Sequence, residues 1–287
     1  MTYKVFFDTR QALNGCDQYG STIAKSAAFM QLIEGQLDSS EFQRLSSPPV
    51  TRDDILLVHD KTYIDALFAD SRAAGNMSID SRALDACLWS IGSMVGALTQ
   101  SLYEDMPVCS CASDLHGAKA IGETGIGFLN GLMVTAAKFI QMNPKAKVGI
   151  LDLSFQEVGF SQETWNENPG IADHVIRFNS AQFFKNPNLN WGEFLAWIRN
   201  SIDAINSFSC DAVIYQASAE MHLIEDLHGF FGEAPMRTRD GLVFGNIKAP
   251  IAWNVGGGST PVGRDLANWV LRGHLSALLN SSKLRTS

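Results

Sequence analysis

An α/β fold with one open, mostly parallel sheet and helices on both faces follows from three features of the sequence. Val148–Leu153 and Ala212–Ala217 (AVIYQA) are short, nearly continuous apolar runs, the pattern of strands buried on both faces. Strand-like and helix-like segments alternate along the chain, which leads to a parallel sheet covered by helices. No repeat, long linker or composition break divides the 287 residues, so residues 1–287 read as a single domain.

Taken in order, Lys4–Asp8 is the first strand and Thr22–Leu37 (TIAKSAAFMQLIEGQL) has helical periodicity. A polar Ser/Pro stretch, SSEFQRLSSPP, follows it. Thr51 caps the helix TRDDILLVH, whose carboxylates Asp53 and Asp54 lie in the first turn, where the helix dipole favours them. Lys61–Asp70 reads as a helix, Ala74–Ser78 as a loop, and Ser81–Tyr103 as a long helix with small residues on one side. Pro107–Ala112 is a strand, Ser113–Gly127 a loop with four glycines, and Leu129–Gln141 a helix. After the strand Val148–Leu153 come a strand at Asp173–Phe178 and an amphipathic helix at Trp191–Ser207. The strand Ala212–Ala217 is followed by Ala249–Val255, which runs into GGGST. Gly263–Asn280 is the closing helix.

Composition narrows the function classes. The chain is 46% hydrophobic and 18% charged, enough for a sizeable core. Its net charge of -8, with no Lys/Arg cluster, argues against a nucleic-acid partner. No apolar run reaches the ~18 residues of a membrane helix, and MTYKVFFDTR has no secretory h-region. The five cysteines (Cys16, Cys87, Cys109, Cys111, Cys210) are odd in number and scattered, so they are expected to be reduced in a cytoplasmic protein. Cys109 and Cys111 share one face of a strand and are expected to be small buried residues.

The chemistry concentrates at the end of Val148–Leu153. Asp152, Ser154 and Gln156 occupy alternate positions, and strand side chains repeat every second residue, so an extended chain points all three the same way. The crevice outside the carboxyl ends of the strands is where open α/β sheets bind ligands.

Five segments, in order, resemble the arginase/deacetylase superfamily, in its histone-deacetylase-like branch with the acetylpolyamine amidohydrolases. They are TRDDILLVHDKTYIDAL (Thr51–Leu67), LHGAKAIGETGIGFLN (Leu115–Asn130), Asp152–Gly159, QASAE (Gln216–Glu220) and VGGGS (Val255–Ser259). The resemblance runs from about Gln18 onward and implies an arginase/deacetylase-like fold. In that family zinc is held by an Asp and a His after the central strand and by a later Asp. Those positions carry Ser154, Gln156 and Glu220 in this chain. The family's tandem histidines match His116 and Gly117, and its oxyanion-stabilising Tyr matches Ser259. Asp152, a support for the metal site in the family, is kept, as are the backbone-shaping Gly125, Asn130, Gly256, Gly257 and Gly258.

The scaffold is therefore retained while most chemical groups are exchanged. The expectation is a zinc site lost and no cofactor. The pocket positions His116, Asp152, Glu220 and Ser259 are the catalytic candidates. Lesser readings are a rearranged metal set of Glu220, His222 and His116, and a Ca²⁺ or Mg²⁺ site at Asp152, Gln156 and Glu220. Others are a phosphate cradle at GGGST and a triad of Ser154 or Ser259 with His116 and Asp152, for which no GxSxG elbow is present. Two function classes follow: a pseudoenzyme that binds a small molecule or a protein partner, or an enzyme repurposed to small polar or amide substrates without zinc or with another metal. The resemblance to bacterial members also allows a homodimer.

Overall fold

The structure is a computed structural model and describes residues 2–12, 20–69, 81–113, 115, 118–119, 122–123, 129–154, 169–184, 190–220, 233–258 and 266–281. Nine strands run in chain order among them: β1 (Tyr3–Phe6), β2 (Phe42–Leu45), β3 (Val108–Ser110), β4 (Ala118–Lys119), β5 (Gly122–Glu123), β6 (Val148–Asp152), β7 (Val175–Asn179), β8 (Ala212–Gln216) and β9 (Ile251–Asn254). Seven of them form one sheet in the order β2-β1-β3-β9-β8-β6-β7, and every pairing in it is parallel. β4 and β5 form a separate antiparallel pair.

Strand alternation sorts the core into two layers. On one face Val108, Val148, Ile150, Ala212, Ile214 and Ala252 pack beneath helices α2 (Arg52–Ile55), α3 (Lys61–Ala69), α4 (Ser81–Ser101) and α5 (Gly131–Met142). On the other, Val5, Leu151, Val213, Tyr215, Ile251 and Trp253 meet α1 (Gly20–Gln36) and three later helices. The short α6 (Pro169–Ala172) and α7 (Ala181–Phe184) lead to those three: α8 (Trp191–Phe208), α9 (Glu233–Asn246) and α10 (Leu266–Ser281). The sequence's alternating apolar elements thus arrive at the expected architecture, and the sheet is wholly parallel. No helix among the described residues is long and apolar enough to cross a membrane.

Local chemistry explains the element starts. Thr51 closes a capping box with Asp54 at the head of α2, as the sequence indicates, although α2 ends at Ile55 and turns over residues 56–59 replace the longer helix over TRDDILLVH. Asn130 caps α5 by accepting from the Met133 N–H at 3.2 Å. His59, its ring 5.9 Å from that of Tyr63, accepts the Asn130 N–H at 3.0 Å and so ties the α2–α3 connection to the head of α5.

Several elements carry no clear sequence signal: the two-residue strands β4 and β5, which pair inside the expected loop Ser113–Gly127, the four-residue helices α6 and α7, and, at greater length, β2 and α9. β2 sits inside the polar stretch SSEFQRLSSPP; it is a four-residue edge strand with a half-exposed face, too short to stand out by alternation. α9 contains Pro235, Gly241 and Gly245, and its buried side includes Arg239 and Asp240, which hides its amphipathic pattern. The Ala74–Ser78 loop lies outside the described residues, as do most of Ser113–Gly127 and the start of the closing helix at Gly263.

Candidate functional site

The last residues of adjacent strands lie in one register row. Ser110 of β3 pairs with Asn254 of β9, Asn254 with Gln216 of β8, Gln216 with Asp152 of β6, and Asp152 with Asn179 of β7. Shared register puts these side chains on one face, the α4–α5 face, where they form a polar rim above its apolar core. Ser110, Asn254, Gln216 and Asp152 are fully buried.

A hydrogen-bonded chain runs along this rim. The Asp152 carboxylate accepts the Gln216 amide at 3.0 Å, the Asn179 amide at 2.9 Å and the Ser154 N–H at 3.1 Å. An ionised carboxylate only accepts, so both amides must turn their NH₂ groups toward it. Gln216 then presents its carbonyl oxygen to Asn254, whose NH₂ donates to it at 3.3 Å and to the Ala112 carbonyl at 3.3 Å. The Asn254 side-chain carbonyl is left buried without a hydrogen bond. One negative charge therefore sets the orientation of amides two strands away.

Asp152 and Ser154 do face the same way, as alternation along the extended chain predicts. The Asn179 amide lies 3.5 Å from the Ser154 hydroxyl, while the Ser180 hydroxyl donates to the Ser154 carbonyl at 3.0 Å. Glu220 stands on the turn after β8, where its N–H donates to the Ser218 hydroxyl at 3.3 Å. Gln156, His116, Ser259, Gly117 and His222 lie outside the described residues. Asp152, Ser154 and Glu220 are thus the predicted positions whose surroundings are defined.

The glycine turn after β9 fits tightly over this rim. A side chain at Gly256 would meet Gln216 Cγ at 2.4 Å, and one at Gly257 would meet Ser218 Oγ at 2.1 Å and Glu220 Cγ at 2.7 Å. Gly257 and Gly258 have φ of 54° and 77°, in the left-handed region that glycine adopts freely. The Ala219 N–H donates to the Gly256 carbonyl at 3.0 Å and locks the two turns together. Gln216, Ser218 and Glu220 thus fill the space that a side chain on Gly256 or Gly257 would need.

Asn179, Gln216 and Asn254 are not among the candidate residues that the sequence offers, although each leaves a trace in it. VIRFN, AVIYQ and IAWN are mainly apolar segments closed by an amide, just as VGILD is closed by Asp152. Cys109 and Cys111 face the opposite layer and are fully buried, and burial together with the Cys111 neighbour pushes the Cys109 thiol well above its ordinary range, making it inert. Among the described residues no group of three or more His, Cys, Asp or Glu is arranged to hold a metal ion. Trp253 also faces the opposite layer, 5.9 Å from Phe244, and so does not fill the space beside the rim.

Behind the rim, His274 of α10 packs edge-on to Phe29, with ring centroids 5.9 Å apart, and its Nε2 makes no hydrogen bond. Burial, with the charges of Lys25 and Arg239, holds its pKa well below the ordinary 6.5. The folded protein therefore keeps this imidazole neutral, while the unfolded chain protonates it near pH 6.5. The resulting stability is complete above that pH and is lost as pH falls below it toward the folded-state value. His274→Phe is expected to flatten the stability curve between about pH 6.5 and 5, measured by urea denaturation at each pH. An unchanged slope would show that other groups control it.

The seven-stranded parallel sheet with helices on both faces is a fold shared with histone-deacetylase domains of known structure. The crystal structure of the HDA15 HD domain superposes with a TM-score of 0.73 at 14% identity, covering 98% of this chain and 91% of that one. An HDAC homolog complexed with SAHA matches with a TM-score of 0.71 at 15% identity, covering 96% and 84%. At such identity the likeness establishes the fold. No protein-family model and no curated protein matches the sequence.

Proposed function

We propose that this chain is a deacetylase-fold protein that has lost zinc-dependent deacetylase chemistry and works through its crevice as a binding or regulatory protein. The observation that carries this reading is the Asp152 network. Its carboxylate is held by two side-chain amides and one backbone N–H, and the next residue on the same face is the neutral Ser154.

Zinc takes thiolate, imidazole or carboxylate ligands. The three positions matched by the resemblance carry Ser154, Gln156 and Glu220, one anion with two neutral groups. The Ser154 hydroxyl also lies at the edge of hydrogen-bonding range from the Asn179 amide. This donor set does not fit zinc. Gly117 in place of the expected base removes about 10²–10⁴-fold in rate. Ser259 in place of a Tyr removes an oxyanion donor of roughly 2.7–4 kcal/mol.

The test combines metal content of the purified protein, thermal shifts with Zn²⁺, Mn²⁺, Mg²⁺ and Ca²⁺, and turnover of acetyl-lysine and acetylpolyamine substrates. The expected result is substoichiometric zinc and no turnover. Stoichiometric zinc with turnover would overturn the reading. A second reading, an enzyme that uses the same pocket for other chemistry, draws on the unbroken polar row from Asn179 to Asn254, because simple decay would leave apolar gaps there. Hydrolysis of a small amide by metal-free protein would favour it.

A further inference from the structure

Three helices on the far face bring charge to the back of the crevice. Lys25 of α1, Arg239 and Asp240 of α9, and His274 of α10 are 0%, 0%, 2% and 1% exposed. The Arg239 guanidinium meets one Asp240 oxygen through Nε at 2.8 Å and Nη2 at 2.7 Å, and the Tyr215 hydroxyl donates to that same oxygen. Burying such groups is weak evidence for stability, since well-packed apolar residues do as well or better. Their contacts indicate another use.

Each cation reaches a main-chain carbonyl of a crevice turn. Arg239 Nη1 donates to the Ser218 carbonyl at 2.5 Å. Lys25 Nζ donates to the Gly257 carbonyl and lies 3.4 Å from that of Gly258. Ser218 begins the turn that carries Glu220, while Gly257 and Gly258 lead into Ser259. Holding the Ser218 carbonyl toward the helices fixes the plane of the Ser218–Ala219 peptide. Ala219 then packs back against Met236 and Val270, and the Ser218 and Glu220 side chains share the side occupied by Gly257.

We infer that Arg239, braced by Asp240 and Tyr215, is a positioning residue that directs Glu220 toward the crevice, with Lys25 holding the opposing glycine turn against it. The inference rests on the crevice being the working site, but its geometry can be tested without any ligand. Arg239→Lys keeps a positive charge beside Asp240 and loses the fork that reaches Ser218. In protein carrying ¹³C-labelled Glu, with the Glu220 carboxyl signal assigned through Glu220→Gln, that signal is expected to shift in Arg239→Lys. Amide exchange at Ala219 and Glu220 is expected to quicken about ten-fold while exchange in β6 and β8 holds.

An unmoved signal and unchanged exchange in folded Arg239→Lys would overturn the assignment. Tyr215→Phe, which removes only the hydroxyl bracing Asp240, is the milder second variant. It is expected to move the same signals in the same direction by a smaller amount, and no movement there would equally count against it. These readouts report Glu220 itself, so their failure is distinct from failure of the metal and turnover measurements.

Discussion

Gly257→Ala is expected to destabilise the protein by about 2–5 kcal/mol, combining left-handed backbone strain with overpacking. The position has φ of 54°, and the new methyl would lie 2.1 Å from Ser218 Oγ and 2.7 Å from Glu220 Cγ. Both neighbours sit on a turn whose Ala219 N–H is bonded to Gly256, and Ser218 is held from behind by Arg239. That turn cannot retreat without breaking these contacts. Urea denaturation measures the loss, and Gly35→Ala is the control. Gly35 lies near the end of α1 with open space around it, so alanine there is expected to be neutral or to stabilise by up to about 1 kcal/mol. Equal effects at both positions would mean that the glycine turn is not tightly packed.

Asp152→Ala is expected to cost about 3 kcal/mol or more, because it leaves buried donors without an acceptor at about 1–3 kcal/mol each. Gln216, Asn179 and the Ser154 N–H all lose their shared partner. The disturbance should spread to Asn254, whose orientation depends on Gln216. Asp152→Asn keeps the shape but sets an NH₂ group against one of those donors, so an intermediate loss is expected. Equilibrium denaturation in a chelating buffer is the decisive measurement. Full destabilisation without metal supports a structural charge at the centre of a polar network. Little loss in chelator, with a large loss only in added metal, would instead make Asp152 part of a metal site.

Much of the scaffold was legible because its signals are local. The runs around Val148–Asp152 and Ala212–Gln216 are too apolar to face water, and Thr51 is a residue that caps helices, whereas the cap Asn130 lies inside the helix Leu129–Gln141 that the sequence predicts. The row Asn254–Gln216–Asp152–Asn179 was not legible, although each member closes an apolar segment. Its partners are separated by up to 64 positions in the chain, and only strand register brings them together. α9 was missed for a related reason. Arg239 and Asp240 look like solvent-facing charges in sequence, yet Arg239 reaches the Ser218 carbonyl and Asp240 the Tyr215 hydroxyl across the fold.

The sequence alone determined the alternation of strands and helices and the residue types at the resembling positions: Ser154, Gln156, Glu220, Gly117 and Ser259. Composition and periodicity suffice for the first, and side-chain chemistry for the second. Tertiary structure decided how Asp152 is used and what stands behind Glu220. A carboxylate has no assigned role until its donors are known, and those come from β7 and β8. The same holds for Lys25 and Arg239, whose charges have a direction only once α1 and α9 pack behind the crevice turns.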